Sequence, residues 1–451
     1  MRAVRAATAA FALILAAACG GNGKIGGDDV DGQGSGGPPD ACVGLQCKLV
    51  NCMGQGIGTT RLSGTVYAPN GTLPLYNASV YVPNTDPGPL AKGVTCDRCN
   101  DILPGQPVAQ TTTDELGHFA LDNVPVSDNL PVVIQLGKWR RQITIDTVAQ
   151  CADNPVAAAK TRLPKNSSEG DIPQIAITTG GADALECLVR KIGIDDKEIT
   201  TDTGNGRVHL FAGTGGTNSF NTGFAGGSGA FANAQTIWGS LDKLKGYDIV
   251  IFSCEGAQNP GTKGTTALQA VNDYSNLGGR VFMSHWHNYW LEMNPSWSTI
   301  ATFDNNSNNI SSTKGTINQG IDRGKAMYKW LNGPEVMALD ANGLLQINNA
   351  RNTCSKINDE TKADRFVYLD PNTAGGLDGV QDLQFTVPND KAPQDRCGKV
   401  VFSDMHVASG SSSSTGKPYP TGCSTADLTP QEKALAFIFF DIASCVGPIV
   451  N

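Results

Sequence analysis

Runs of positive charge are what this chain most plainly lacks. Lys and Arg total 34 against 42 Asp and Glu, charged residues make up only 17% of the 451, and the net charge is −8. No basic run is long enough to match a row of phosphates, which excludes nucleic acid as a partner. Neither Ser253 nor Ser284 sits in Gly-x-Ser-x-Gly, so the usual hydrolase elbow is missing. "CDRC" at Cys96 and Cys99 is followed by no second pair at zinc-finger spacing, and no strand-to-helix context surrounds it, which argues against a zinc or redox motif there. The apolar run at residues 6–18 stops short of the roughly 20 residues that a spanning helix needs. Histidine is scarce too, with five in the whole chain. What fills the space is Gly, 53 residues of it, with Asn, Thr and Ser, giving a polar but weakly charged surface.

The N-terminus has a definite grammar. Arg2 and Arg5 precede the short apolar stretch, and Ala16, Ala17 and Ala18 precede Cys19. The pattern resembles a bacterial lipoprotein signal, residues 1–19, in which Cys19 becomes the lipid-modified first residue. Such signals prefer Leu three residues before the cysteine, and here Leu15 lies one further back. Residues 20–58 begin with "GGNGKIGGDDVDGQGSGGPPD", a Gly-rich tether that cannot bury a core, and end in a Cys-rich segment carrying Cys42, Cys47 and Cys52. The resemblance implies attachment to a membrane through the lipid anchor. Gly20, rather than Asp, after the cysteine implies the outer membrane or cell surface. Setting Cys19 aside from the 13 cysteines leaves an even number, expected to form up to six disulfides in an oxidising compartment. Cys96 and Cys99 are expected in one local bridge or two longer ones.

Residues 59–150 alternate in short β-branched and aromatic runs such as "SGTVYA", "ASVYV" and "WRRQITI", broken by "PNG" and "PN" turns. That rhythm predicts a small all-β sandwich. The residues Gly64-x-Val66, Pro69-x-Gly71, Pro74, Asn77-Ala78-x-Val80, Thr113-Asp114, Gly117-x-Phe119 and Val124-Pro125 resemble the carboxypeptidase regulatory-like domain, a transthyretin-like sandwich. The resemblance implies a structural or carbohydrate-binding-like module without catalytic residues. An insertion near residues 84–108, carrying "CDRC", departs from it.

From residue 171 to 451 strands and helices alternate: "QIAITTGG", "ADALECLVRKIG", "RVHLFAG", "NAQTIWGSLDKLKG", "YDIVIFSCEG", "TTALQAVNDYSNLGG", "RVFMSHWH". This predicts an α/β domain with a mainly parallel sheet and helices on both faces. Strands at "LLQINNAR", "RFVYLD", "LQFTVPN" and "KVVFSDMHV" follow, some of them antiparallel. A last helix starts with Thr429, Pro430 and Glu432 as a capping box. Tyr247-Asp248 and Gly278-Gly279 within residues 175–290 resemble the class I glutamine amidotransferase-like fold, in its trehalose-utilisation-like branch. That fold is flavodoxin-like in build. True amidotransferases need a cysteine at the elbow after the Gly-Gly strand, and this chain has Ser284-His285-Trp286-His287 there. The expected architecture is therefore multidomain, a transthyretin-like sandwich followed by a flavodoxin-like or amidotransferase-like sheet.

Ligands of open parallel sheets bind beyond the carboxyl ends of the strands, and four strands here end in polar groups. They supply Asp183; Ser253, Cys254 and Glu255; Ser284, His285 and His287; and Ser403, Asp404 and His406. On an extended strand His285 and His287 would share a face, and with His406 they would make an open zinc or iron site able to activate water. The plainer reading has them hydrogen-bonded to neighbours. Cys254 is a candidate nucleophile with a histidine as base, or a disulfide partner. Trp286, Tyr289 and Trp290 suit either a sugar or peptide surface or a core helix. The Gly-rich "GTGGTNSFNTGFAGGSG" does not run straight into a helix, so it reads as a surface loop near the strand tips, not a phosphate loop. The leading expectation is a lipid-anchored envelope protein that binds a carbohydrate or protein ligand, or adheres, without catalysis and without a cofactor. The alternative is a metal-dependent hydrolase of envelope or extracellular polymer, built on His285, His287 and His406.

Overall fold

Turn residues and β-branched runs set the first part of the body. Its strands are β1 (Arg61–Thr65), β2 (Ser79–Pro83), β3 (Pro107–Thr112), β4 (His118–Leu121), β5 (Leu130–Leu136), β6 (Trp139–Ile145) and β7 (Asp153–Pro155). A computed structural model describes residues 42–99, 101–305, 309–407 and 416–446. The signal stretch, Cys19 and the tether through residue 41 lie outside them. Two sheets form, in the orders β3-β2-β5-β6 and β4-β1-β7. The β5–β6 hairpin closes on Gly137-Lys138, with Leu136 opposite Trp139. Gly137 has φ +54°, a left-handed backbone that glycine adopts without strain. Val43–Asn451 clusters as one compact unit.

The second part is a mixed sheet. Its parallel half is β8 (Ile175–Thr178), β9 (Ile199–Thr200), β10 (Val208–Ala212), β11 (Ala232–Asn233), β12 (Ile249–Phe252), β13 (Arg280–Ser284) and β20 (Gly398–Ser403). Its antiparallel half is β15 (Ile310–Ile317), β16 (Leu345–Ala350), β18 (Asp364–Leu369) and β19 (Gly379–Val387). A small pair, β14 (Ala301–Phe303) and β17 (Cys354–Ile357), stands apart. The spatial order is β11-β10-β8-β12-β13-β20-β19-β18-β15-β16. The parallel run is thus confined to one half of the sheet.

Why the parallel strands read as continuous apolar runs is visible in their alternation. Ile175, Ile177, Ile249, Ile251 and Phe282 feed one core, while Ala176, Val250, Phe252, Val281 and Met283 feed the other. Both faces are therefore buried. Helices α2 (Leu185–Lys191) and α8 (Pro430–Ala443) serve the first core. Helices α3 (Gln235–Trp238), α4 (Leu241–Leu244), α5 (Thr265–Asn276) and α6 (Tyr289–Met293) serve the second. The predicted helix at "NAQTIWGSLDKLKG" breaks into α3 and α4 at Gly239-Ser240. The two small sheets share the α2/α8 core. Trp139 meets Phe439 and Phe440 of α8 edge-on or tilted, with ring centroids 5.6 and 5.5 Å apart. Trp330, on α7 (Asp322–Asn332), donates its indole N–H to Pro74 O at 2.7 Å.

Disulfides bind these parts covalently. Cys96 pairs with Cys397 and Cys99 with Cys445, so "CDRC" makes two long bridges, and Cys52–Cys151 and Cys187–Cys423 add two more. Cys42 and Cys47 are disulfide-bonded as well. Cys254 and Cys354 are free, so two of the twelve cysteines beyond Cys19 stay unpaired and Cys254 is not a disulfide partner. Among the described residues no helix is long and apolar enough to cross a membrane.

Candidate functional site

The four polar strand ends converge at one edge of the sheet. Asp183, in the turn between β8 and α2, is buried and spends its carboxylate on scaffolding. One oxygen accepts the Val407 N–H at 2.8 Å and the other the Ser284 hydroxyl at 2.6 Å. Three strand tips are thereby tied together, those of β8, β13 and β20. The fit leaves no slack: a Cβ on Gly180 would lie 2.1 Å from Cys254 O, and one on Gly213 would lie 2.0 Å from Thr179 O.

β13 stops at Ser284, and residues His285–Asn288 tighten into a 3-10 turn. His285 has φ +41°, a left-handed conformation uncommon for a side-chain-bearing residue and associated with functional sites. This bend corrects the strand-parity expectation, because it sends the two histidines apart. His287 donates from Nε2 to Ser253 O at 3.0 Å and accepts the Trp290 indole N–H on Nδ1 at 2.9 Å. Both nitrogens are occupied, burial pushes its pKa down to about 3, and it has no lone pair to offer a metal. His285 instead faces Cys254, with Nδ1 at 3.4 Å from Sγ, and stands edge-on to His406 at 5.2 Å between centroids. Cys254, His285 and His406 are all buried.

Burial disfavours the charged form of all three groups. Burial pushes the Cys254 thiol up to about 12 and drives His285 well below the ordinary histidine value, with the charge of His406 adding to the second effect. A thiolate–imidazolium pair, the form a cysteine nucleophile needs, is therefore disfavoured. Asp404, at the β20 tip, is buried and accepts the Cys354 N–H at 3.0 Å, so it anchors the start of β17.

The aromatic candidates divide. Trp290 is fully buried and stacks on Phe252 at 5.4 Å, so it is core and presents no surface. Trp286 and Tyr289 remain half-buried. Trp286 lies against His285, 4.7 Å between ring centroids.

Glu255 stands in a different setting, buried in the wall of a cleft of about 420 Å³ beside the ends of β10 and β12. The cleft is lined by residues 213–216, Asn218, Gln235 and Trp238 among others. Glu255 accepts the Thr214 N–H at 2.7 Å and pairs with the buried Lys263 ammonium at 2.5 Å. Lys263 also sits 5.0 Å from the centre of the Trp238 ring. Sequence reasoning singled out the Gly-rich loop, which contains Asn218, and Glu255, but missed Lys263 and Gln235. A lysine within "NPGTKG" carries no sign that it will be buried. A larger groove of about 1120 Å³ lies elsewhere, along residues 190–198 and 424–433. Two of its cations are already paired, Arg190 with Asp196 in the groove and Lys191 with the buried Glu432, which leaves it less to offer a ligand.

No family model matches the chain, and no curated protein matches it. Among solved structures it is similar to a ThuA-like protein from Bacteroides uniformis, with 11% identity and a TM-score of 0.31 over 59% of this chain and 88% of that one. A cytoplasmic protein from Salmonella typhimurium gives 12%, 0.31, 60% and 99% for the same quantities. A chain of a cohesin–X-dockerin complex from Acetivibrio cellulolyticus gives 15%, 0.15, 32% and 75%. Likenesses this distant carry no argument about function.

Proposed function

We propose that this chain is a lipid-anchored protein of the cell envelope that binds a polar, uncharged ligand of the carbohydrate class without turning it over. A transthyretin-like sandwich would carry the α/β body, and the binding site would lie at the carboxyl ends of the parallel strands. The observation that carries this reading is the cleft at the tips of β10 and β12. Its size suits a small ligand. Its wall is backbone at residues 213–216 and its rim holds the exposed amides of Asn218 and Gln235, while Glu255, bonded to the Thr214 N–H and paired with Lys263, holds that wall in place. Amides and backbone groups match hydroxyl-rich molecules better than they match charged ones. Four disulfides support an oxidising compartment. The neutral, fully buried Cys254 supports binding over covalent catalysis.

The test is calorimetric titration of the full chain against a panel of neutral oligosaccharides. Gln235→Trp places an indole across an exposed rim position and should leave the fold intact. A ligand bound by the wild type and weakened at least about tenfold, or 1.4 kcal/mol, by Gln235→Trp supports the reading. A ligand bound equally by both removes the cleft from it, and no binding across the panel removes the carbohydrate class.

A further inference from the structure

We propose that Cys254, His285 and His406 form a binding site for one zinc-class divalent ion, held by a thiolate and two imidazoles with a fourth position open. This goes beyond the cleft reading and does not depend on it. One donor atom from each residue lies within 4.8 Å of the other two. A tetrahedral zinc with bonds of about 2.3 Å to sulfur and 2.0–2.1 Å to nitrogen spaces its donors roughly 3.3–3.6 Å apart. The Cys254 Sγ to His285 Nδ1 distance of 3.4 Å already falls in that range. The remaining closure is about an ångström, within reach of a rotamer adjustment.

An unspent polar atom points to the same place. Nε2 of His406 is buried without a hydrogen-bond partner. Burying such a group without a partner costs on the order of 1–3 kcal/mol, so it calls for an occupant. His406 is oriented for ligation: its Nδ1 faces the Asn349 carbonyl at 3.5 Å, which fixes the tautomer and leaves Nε2 its lone pair. Asn349 itself has φ +51°, which sets the direction of that carbonyl. His285, at φ +41°, is held in an uncommon backbone conformation that turns its ring toward Cys254 and away from His287. Cys254 is also one of only two described cysteines outside a disulfide. One sulfur and two imidazoles favour zinc over the oxygen-seeking ions. On binding, the ion replaces the thiol proton, so one proton leaves to solvent per ion bound and affinity rises with pH.

The experiment is metal analysis of the tag-free full chain, purified from an oxidising compartment and equilibrated with zinc. Near-stoichiometric zinc is expected, with affinity reduced at least about tenfold in Cys254→Ser and in His406→Ala. His287→Ala and Gln235→Trp should retain it, which separates this site from both the sequence-based histidine set and the cleft. If the ligand variants do not fold, cobalt loading of the wild type decides. A thiolate-to-cobalt charge-transfer band supports the site, and its absence from loaded, folded protein overturns it. A folded wild type that binds no ion, or a Cys254→Ser variant that binds zinc as tightly, also overturns it.

Discussion

Glu186 shows how much a single buried group can reveal. It lies in the first turn of α2, fully buried, and neither carboxylate oxygen has a partner. Burial pushes its pKa from 4.5 to about 8, and the nearby charge of Asp183 acts in the same direction. A carboxyl raised in the folded state keeps its proton where the unfolded chain has lost it. Stability therefore falls as pH rises from the unfolded value through about 8. Glu186→Gln should remove that dependence and stabilise the protein by roughly 2–4 kcal/mol on the alkaline side. Denaturant unfolding at several pH values checks this, and an unchanged slope would show that the group is not neutral when folded. At this scale the sequence was partly readable. Asp183, Glu255, Cys254, His285 and His406 stand out because polar residues end otherwise apolar strands. His287 did not belong with them, because parity arguments hold only while the backbone stays extended, and it turns at His285. Lys263 carried no signal at all, since its burial depends on Glu255 and Trp238 arriving from other elements.

Elements were easiest to read where local chemistry decided them. In α8 the Thr429 hydroxyl accepts the Glu432 N–H at 3.2 Å, and the Glu432 carboxylate accepts the Thr429 N–H at 2.8 Å. Two orphan donors of the first turn are met within four consecutive residues, so the start of the helix could be read without knowing its surroundings. Thr429→Ala should cost about 1 kcal/mol, seen as a lower denaturation midpoint with unchanged slope. A loss of several times that would mean the cap also holds the Lys191–Glu432 pair in place. β14, β15 and α7 were not legible. Their stretch of chain is polar and mixed in period, and α7 is fixed by tertiary contacts such as the Trp330 bond to Pro74 O. The antiparallel half of the sheet was likewise underestimated, because a strand's apolar pattern does not state the direction of its neighbour.

For the whole molecule the decisive devices are long-range. Cys96–Cys397 and Cys99–Cys445 span 301 and 346 residues of sequence and join the insertion at residues 84–108 to the last strand and helix. Closing such loops limits the unfolded chain, so the double change Cys99→Ser, Cys445→Ser should lower stability by about 2–5 kcal/mol. A thermal melt of the oxidised protein measures it, and a negligible change would mean the other bridges already impose the constraint. No pairing of this kind can be deduced from spacing, which is why "CDRC" stayed ambiguous until the two ends of the body were seen together. Parallel pairing of β8, β12, β13 and β20 brings their tips to one edge, beside the cleft at the ends of β10 and β12 where we place the ligand. Hydrogen exchange of the full chain, with and without the oligosaccharide that binds best, tests that placement most directly. Binding at the strand tips predicts slowed exchange at residues 213–218 and around Gln235, with the β1–β7 sheets unchanged. Slowing confined to the β1–β7 sheets, with residues 213–218 unaffected, would contradict it.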